Sequence, residues 1–196
     1  MKYRSMLLLL IVALATGCAP PIRPAVPSAM VPRAIKPALP ADISIYVERT
    51  TLDSAAAEGK APFDELTGQF PLVRQTGLEN FQKSIRLTLI AAGAQSPPNA
   101  GMASYVLHPV ILGGMAIPFP EAYAILFVHY QLEDSKTGKI VWSKNVYSQA
   151  KLGRIGAATT SEGAPDPAYA LLAAANLRQM VTELSEWLTV GRQVTQ

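Results

Sequence analysis

Hydrophobic and polar residues alternate along positions 43–48, where Ile43, Ile45 and Val47 are separated by polar side chains. A period of two residues predicts a β-strand whose two faces differ. Three later runs, rich in β-branched and aromatic residues, are predicted as strands on the same grounds: 104–111, 123–132 and 140–147. The polar stretch 134–139, which contains Gly138, predicts a tight turn between the last two strands, which therefore pair antiparallel.

Two longer stretches have the spacing of amphipathic helices. Thr76 and Glu79 form a predicted capping box, and Gly93 is predicted to end this first helix. Its apolar stripe is Leu78, Phe81, Ile85, Leu89 and Ala92. Asp166 and Pro167 are predicted to begin the second helix, with Asp as the N-cap and Pro at the first helical position. Its inward stripe is Leu172, Asn176, Met180, Leu184 and Trp187 or Leu188.

The order of these elements is β-α-β-β-β-α. Two amphipathic helices and mostly antiparallel strands predict an α+β fold, a two-layer sandwich in which about four strands carry both helices on one face. Residues 50–75 have no clean period and are predicted to form a long loop. We expect the domain to span residues 42–190 and residues 191–196 to form a C-terminal tail.

The N-terminus has a different pattern. Lys2 and Arg4 precede an unbroken apolar run of eight residues, 7–14, and small residues then lead to Cys18, which is the only cysteine. This order is typical of a secretory signal. The run is too short for a transmembrane helix, which needs about 20 residues. Residues 1–17 are therefore predicted to be a signal peptide.

The residues before the cysteine resemble the lipobox of bacterial lipoproteins: Leu14, Ala15, Thr16, Gly17 and Cys18. The resemblance implies a diacylglyceryl group on the Cys18 thiol, cleavage before Cys18, and a further acyl chain such as palmitate on the new N-terminus. Ala19, where lipoproteins retained at the inner membrane usually have Asp, implies the outer membrane, facing the periplasm. An ordinary signal peptide, or an incidental cysteine, is the alternative.

Seven prolines lie between Cys18 and residue 41. Proline lacks a backbone donor and has a fixed φ, so residues 18–41 are predicted to form an extended tether. Once residues 1–17 are removed, 15 basic and 14 acidic residues remain, a net charge of +1. From residue 42 onward the net charge is −2, with 12 basic and 14 acidic residues. A near-neutral domain has no electrostatic footprint for nucleic acid.

Residues suited to catalysis or metal binding are few. His108 and His129 lie in neighbouring predicted strands, where a facing pair is one arrangement and two half-exposed histidines are the other. No acidic residue lies at ligand spacing to either histidine. The acidic pairs 64–65 and 133–134 are adjacent in sequence, a spacing that points side chains apart on a strand. Because no hydrolase elbow, phosphate loop or zinc motif occurs either, we predict no catalytic residues, metal or cofactor.

The stretch 112–120 (LGGMAIPFP) is predicted to be an apolar loop between two strands. Exposed apolar residues often mark partner or membrane sites. Met115, Ile117 and Phe119 are therefore candidate partner-binding residues. The alternative is that they fold back over the sheet edge or the core.

The domain resembles small outer-membrane lipoproteins: YajG-type lipoproteins, lipoprotein activators of penicillin-binding proteins, lipoproteins of curli and exopolysaccharide secretion, and ABC-transport auxiliary lipoproteins. The motifs that carry the resemblance are 81–85 (FQKSI), 103–107 (ASYVL), 130–134 (YQLED) and 137–142 (TGKIVW). It implies a non-enzymatic binding or assembly factor of the cell envelope, anchored to the membrane through Cys18, with a protein partner. The resemblance leaves open whether the protein forms a homo-oligomer. The alternative is a lipid- or glycan-binding carrier with an apolar pocket between sheet and helices.

Overall fold

The computed structural model describes residues 26–36, 38–53, 75–117, 123–151 and 167–194. Within these ranges the strands are β1 (Ile45–Val47), β2 (Thr51–Leu52), β3 (Tyr105–Ile117), β4 (Tyr123–Asp134) and β5 (Lys139–Lys151), and the helices are α1 (Gln75–Ala91) and α2 (Pro167–Val194). Two short 3-10 turns, Pro27–Met30 and Ala100–Met102, complete the described elements.

The strands form one sheet in the order β1-β3-β4-β5, and β2 pairs with β3 beyond the end of β1. The β3–β4 and β4–β5 pairs are antiparallel, whereas β1 and β2 run parallel to β3. This confirms the α+β class and the mostly antiparallel sheet. Within the described residues the sheet has five strands where about four were predicted, and the additional strand, β2, lies at the start of the stretch predicted to be a loop.

Both helices cover the same face of the sheet. Tyr130 of β4 donates its hydroxyl hydrogen to Asn176 Oδ1 on α2 at 2.7 Å, and Asn176 Nδ2 donates to the Val146 carbonyl of β5 at 3.1 Å. Lys144 of β5 forms an ion pair with Glu183 of α2 at 3.0 Å. The even-numbered residues of β4 up to Leu132, and those of β5 from Trp142 onward, therefore face the helices. Because side chains alternate along a strand, the odd-numbered residues of these stretches lie on the opposite face.

The predicted apolar stripes of both helices lie in the core. On α1, Phe81, Ile85 and Leu89 are fully buried. On α2 the buried set is Leu172, Asn176, Met180, Leu184 and Leu188. The helix α1 ends where predicted, since Gly93 has a φ of +104°, in the region that favours glycine. The side chain of Thr76, and all of Asp166, lie outside the described residues, so both predicted caps remain predictions.

The described part of the predicted tether packs on the domain. Met30 is 0% exposed, and the turn Pro27–Met30 lies against both helices. Ser84 of α1 donates to the Pro27 carbonyl at 3.1 Å, and Ser185 of α2 donates to the Ala38 carbonyl at 3.4 Å. Residues 26–36 and 38–41 thus cross the helix layer as part of the core, because the helices present an apolar groove to Met30 and Leu39.

Several element boundaries differ from the sequence predictions, and β5, for example, continues to Lys151. β3 continues to Ile117, so Met115 and Ile117 lie in a strand rather than in the predicted loop. The reason is the register with β4, which pairs every β3 residue from Gly113 to Ile117. α2 continues to Val194, four residues into the predicted tail. The tight turn at 135–138 is confirmed, with Gly138 at a φ of +66°.

Candidate partner-binding face of the sheet

The sheet face turned away from the helices is called the open face here. It carries the residues opposite to the helix-facing set: His108 and Val110 of β3, Phe127 and His129 of β4, and Asn145 and Tyr147 of β5. In the described part of the chain neither helix lies over it. Most of these side chains are half-buried or exposed, so the face is a surface on which polar and apolar residues meet.

His108 is held between two carboxylates on the open face. Its Nδ1 lies 2.5 Å from Glu48 Oε2, and its Nε2 lies 3.0 Å from Glu133 Oε2. The bridge ties the chain after β1 to β3 and β4. Sequence reasoning missed it because Glu48 is distant in sequence and Glu133 lies on another strand.

These groups do not form a metal centre. The two carboxylates contact opposite nitrogens of the His108 ring, so their oxygens do not converge with one nitrogen on a common point. Across the described ranges, no three His, Cys, Asp or Glu side chains are arranged to hold a metal ion. The cluster therefore acts as a cross-strand clamp, with its charges fixed at the surface.

The two histidines do not face one another. His108 is aligned with Gln131, whereas His129 is aligned with Val110, so they occupy adjacent rows of the face. His129 Nδ1 contacts Asn145 Oδ1 at 2.5 Å, and its Nε2 lies 3.3 Å from Ser143 Oγ. Both rings thus have fixed orientations and present a polar, hydrogen-bonded half of the open face.

The other half of the open face is apolar and aromatic. The rings of Phe127 and Tyr147 contact each other with centroids 5.0 Å apart, and Tyr147 is 42% exposed. Gly113, aligned with Phe127 across β3 and β4, has open space where a Cβ would stand. A β-bulge between Ile111 and Gly113 precedes it. This small gap at Gly113, called the recess here, lies beside the aromatic pair, of which Tyr147 is exposed and Phe127 half-buried.

The predicted partner-binding residues adjoin this recess along the strand. Met115 is aligned with Ile125, and Ile117 with Tyr123, in the rows that precede Phe127 on β4. The side chains of Met115 and Ile117 lie outside the described residues, as does the whole of Phe119. Cys18 and the lipobox residues Leu14, Ala15, Thr16 and Gly17 also lie outside them, so these assignments remain predictions.

The asymmetric sheet, with helices on one face and the clamp and recess on the other, defines a small two-layer α+β domain. None of the described helices is both long and apolar enough to cross a membrane. No protein-family model matches the chain, and no curated protein sequence matches it.

Similar solved structures exist, however. Protein XCC0632 from Xanthomonas campestris, described with the family model DUF330, is 16% identical with a TM-score of 0.52, and the match covers 90% of this chain and 96% of that one. The hypothetical protein CT253 from Chlamydia trachomatis is 10% identical over 72% of this chain and 95% of its own, with a TM-score of 0.49. A minor lipoprotein from Acinetobacter baumannii is 15% identical over 79% of this chain and 95% of its own, with a TM-score of 0.43. The first of these shows the shared fold, and proteins named as lipoproteins are among the structures that resemble the chain.

Proposed function

We propose that the protein is a non-enzymatic lipoprotein of the bacterial envelope that binds an envelope protein through the open face. The proposal includes export by residues 1–17, acylation at Cys18, and attachment to the outer membrane facing the periplasm. The order of basic end, short apolar run, small residues and single cysteine supports the anchor. A diacylglyceryl group together with a further acyl chain supplies the two signals that stable anchoring needs.

The observation that carries the binding role is the aromatic pair of half-buried Phe127 and exposed Tyr147 beside the recess at Gly113. Aromatic residues are enriched in the centres of protein interfaces, where a few buried anchors supply most of the affinity. The oriented polar groups around His108 and His129 border this apolar half. A central apolar patch with a fixed polar border is the usual anatomy of a protein-binding surface.

The alternative function is a carrier that holds a lipid or glycan between the sheet and the helices. In the described residues this space is packed by side chains from both layers, including Phe81, Leu126 and Leu177, all fully buried. Packed cores resist the insertion of a further group, since interiors have close to crystal density. The packing therefore favours a surface-binding role over a carrier role.

The binding role is tested by placing a photoreactive amino acid at Tyr147 in the full-length protein in its native envelope, with Val190 on α2 as the matched exposed control. We expect one envelope protein to crosslink from position 147 and not from position 190. Tyr147→Ala should weaken co-purification of that protein by about tenfold, the loss of one hot-spot residue, whereas Leu171→Ala should not. Crosslinking from 190 alone would show that the open face is not the binding surface.

The anchor is tested separately with Cys18→Ser. We expect this variant to lose incorporation of labelled palmitate and to leave the membrane fraction, while the natural protein keeps both. If the Cys18→Ser variant stayed membrane-bound, the acyl anchor would be refuted. A lipid or glycan that co-purified in equimolar amount with the natural protein, together with no crosslinked partner, would support the carrier instead.

A further inference from the structure

The proposed anchor and the folded domain are close along the chain. Val26 is the first residue that the structure describes, and the Pro27 carbonyl accepts a hydrogen bond from Ser84 of α1. Only eight residue steps separate Cys18 from Val26. Whatever conformation these residues adopt, eight steps reach at most about 29 Å. The chain between the proposed anchor and Val26, residues 18–25, is called the leash here, and it is much shorter than the predicted tether of 18–41.

This leash enters the domain on its helix layer, because the turn Pro27–Met30 lies against both helices. The open face lies behind this layer, beyond the thickness of a helix and of the sheet. A helix with its side chains is about 10–12 Å thick, and the sheet adds a second layer. To bring the open face to the membrane, the leash would have to extend over most of its maximum length. The helix layer can contact the membrane with a much less extended leash.

The exposed face of α1 has the composition of a membrane-surface helix. Lys83, Arg86, Leu87 and Ile90 are all exposed, with Leu87 at 41% and Ile90 at 51%. Their spacing of three and four residues places them on one side of the helix. Arg86 Nε also donates to Ser96 Oγ at 3.3 Å.

The helix layer carries charges outside this face as well. Arg33 and Lys36, in the segment that crosses the helices, are exposed, Glu79 is the one exposed acidic residue described on α1, and Glu186 is exposed on α2. Apolar side chains among basic ones are the pattern that binds anionic lipid headgroups.

We infer that this α1 face (Lys83, Arg86, Leu87 and Ile90) rests on an anionic phospholipid surface, the membrane in which the acyl chains of Cys18 are embedded. The inference rests on the proposed acylation of Cys18. The leash length holds the face at the bilayer, and the basic charges complement the lipid phosphates. The open face then points away from the bilayer, where an envelope protein can reach it.

The inference can be measured with introduced cysteines. Cys18 is the only cysteine of the chain, so once it is acylated an introduced cysteine carries the only free thiol. Leu87→Cys on α1 and Asn145→Cys on the open face, both at exposed positions, are labelled with the same fluorophore in the full mature protein. The proteins are placed in phosphatidylcholine vesicles containing phosphatidylglycerol and a headgroup-bound quencher. We expect several-fold stronger quenching at position 87. Equal or stronger quenching at position 145 would overturn the inference.

Charge reversal separates lipid docking from the effect of the leash alone. Lys83→Glu combined with Arg86→Glu should reduce quenching at position 87 in vesicles with phosphatidylglycerol, whereas Lys136→Glu in the hairpin turn should not. Unchanged quenching after the double reversal, or equal quenching in pure phosphatidylcholine, would refute docking. Failure of the anchor is distinguishable, since the protein would then not be recovered with vesicles at all.

Discussion

At the scale of single residues, the most constrained group is the phenol of Tyr130. Its side chain is fully buried, and its hydroxyl donates to Asn176, which in turn donates to Val146 of β5. The Tyr130 hydroxyl, the Asn176 Oδ1 and Nδ2 atoms and the Val146 carbonyl, which form this link between sheet and helix, are therefore all hydrogen-bonded. Such networks stabilise a unique core only while every member stays satisfied.

Burial raises the pKa of Tyr130 well above its ordinary value of 10.0. Stability from this group is therefore complete below about pH 10 and is lost as the pH rises further, because the unfolded chain releases the proton first. Tyr130→Phe should lower the free energy of unfolding at neutral pH by about 1–3 kcal/mol, since Asn176 Oδ1 loses its donor. It should also make the alkaline decline shallower. Urea unfolding across pH measures both effects.

Tyr147→Phe is the matched control for this prediction, since its exposed hydroxyl contacts only Gln149 among the described hydrogen bonds. We expect it to leave the free energy of unfolding within about 0.5 kcal/mol of the natural protein, as for most surface changes. An alkaline decline that is identical in all three proteins would contradict the assignment to Tyr130.

Gly93 and Gly138 form a second matched pair. Both have positive φ, but a Cβ on Gly93 would stand 3.0 Å from the Leu39 carbonyl oxygen, whereas one on Gly138 would meet open space. Gly93→Ala should therefore destabilise the protein by about 1–3 kcal/mol or more, and Gly138→Ala by less. Thermal unfolding of the two variants decides this. Equal losses would mean that the contact with Leu39 has no energetic weight.

At the scale of elements, the segment that crosses the helices (residues 26–36 and 38–41) contributes buried side chains to the core although it has little regular secondary structure. Met30→Ala should cost about 2–5 kcal/mol, the range for deleting a large buried side chain. Met102, 65% exposed, supplies the control, and Met102→Ala should change stability by less than about 0.5 kcal/mol. Chemical denaturation measures both. If Met30→Ala were as mild as Met102→Ala, the segment would be a tether after all.

The helices and the antiparallel hairpin could be predicted from the sequence because their signals are local. The stripe from Phe81 to Leu89 and the turn before Lys139 are each readable within a few residues. The parallel pairing of β1 with β3, and the contact between Glu48 and His108, depend on residues about 60 positions apart. No period or motif encodes such a distance, and a single sequence does not show which strand lies at which edge.

Predictions from local sequence differ from the structure mainly at glycine and proline residues. Gly113 and Gly114 favoured a loop, yet β4 supplies a partner strand that extends β3 through both of them. Likewise, the prolines between 27 and 40 favoured a free polyproline segment. The groove between the helices instead captures Met30 and Leu39, because burial of two large apolar side chains outweighs the lack of regular hydrogen bonds.

At the scale of the whole molecule, the two proposals place the parts in a line from membrane to partner. In these proposals the acyl anchor and leash hold the helix layer at the lipid, and the sheet presents its clamp and aromatic recess on the far side. Of this site, the sequence indicated Met115 and Ile117, which adjoin the recess. It did not indicate Phe127, Tyr147 or the Gly113 gap, because only the strand register brings them together.

The segment that crosses the helices also limits where the chain can be truncated without loss of the core. A fragment that begins at residue 42 would lack Met30 and Leu39, leaving their places in the core empty and Ser84 and Ser185 without the backbone acceptors that lie there. Soluble versions for crystallisation, and protease sites for release from the membrane, therefore belong before Val26.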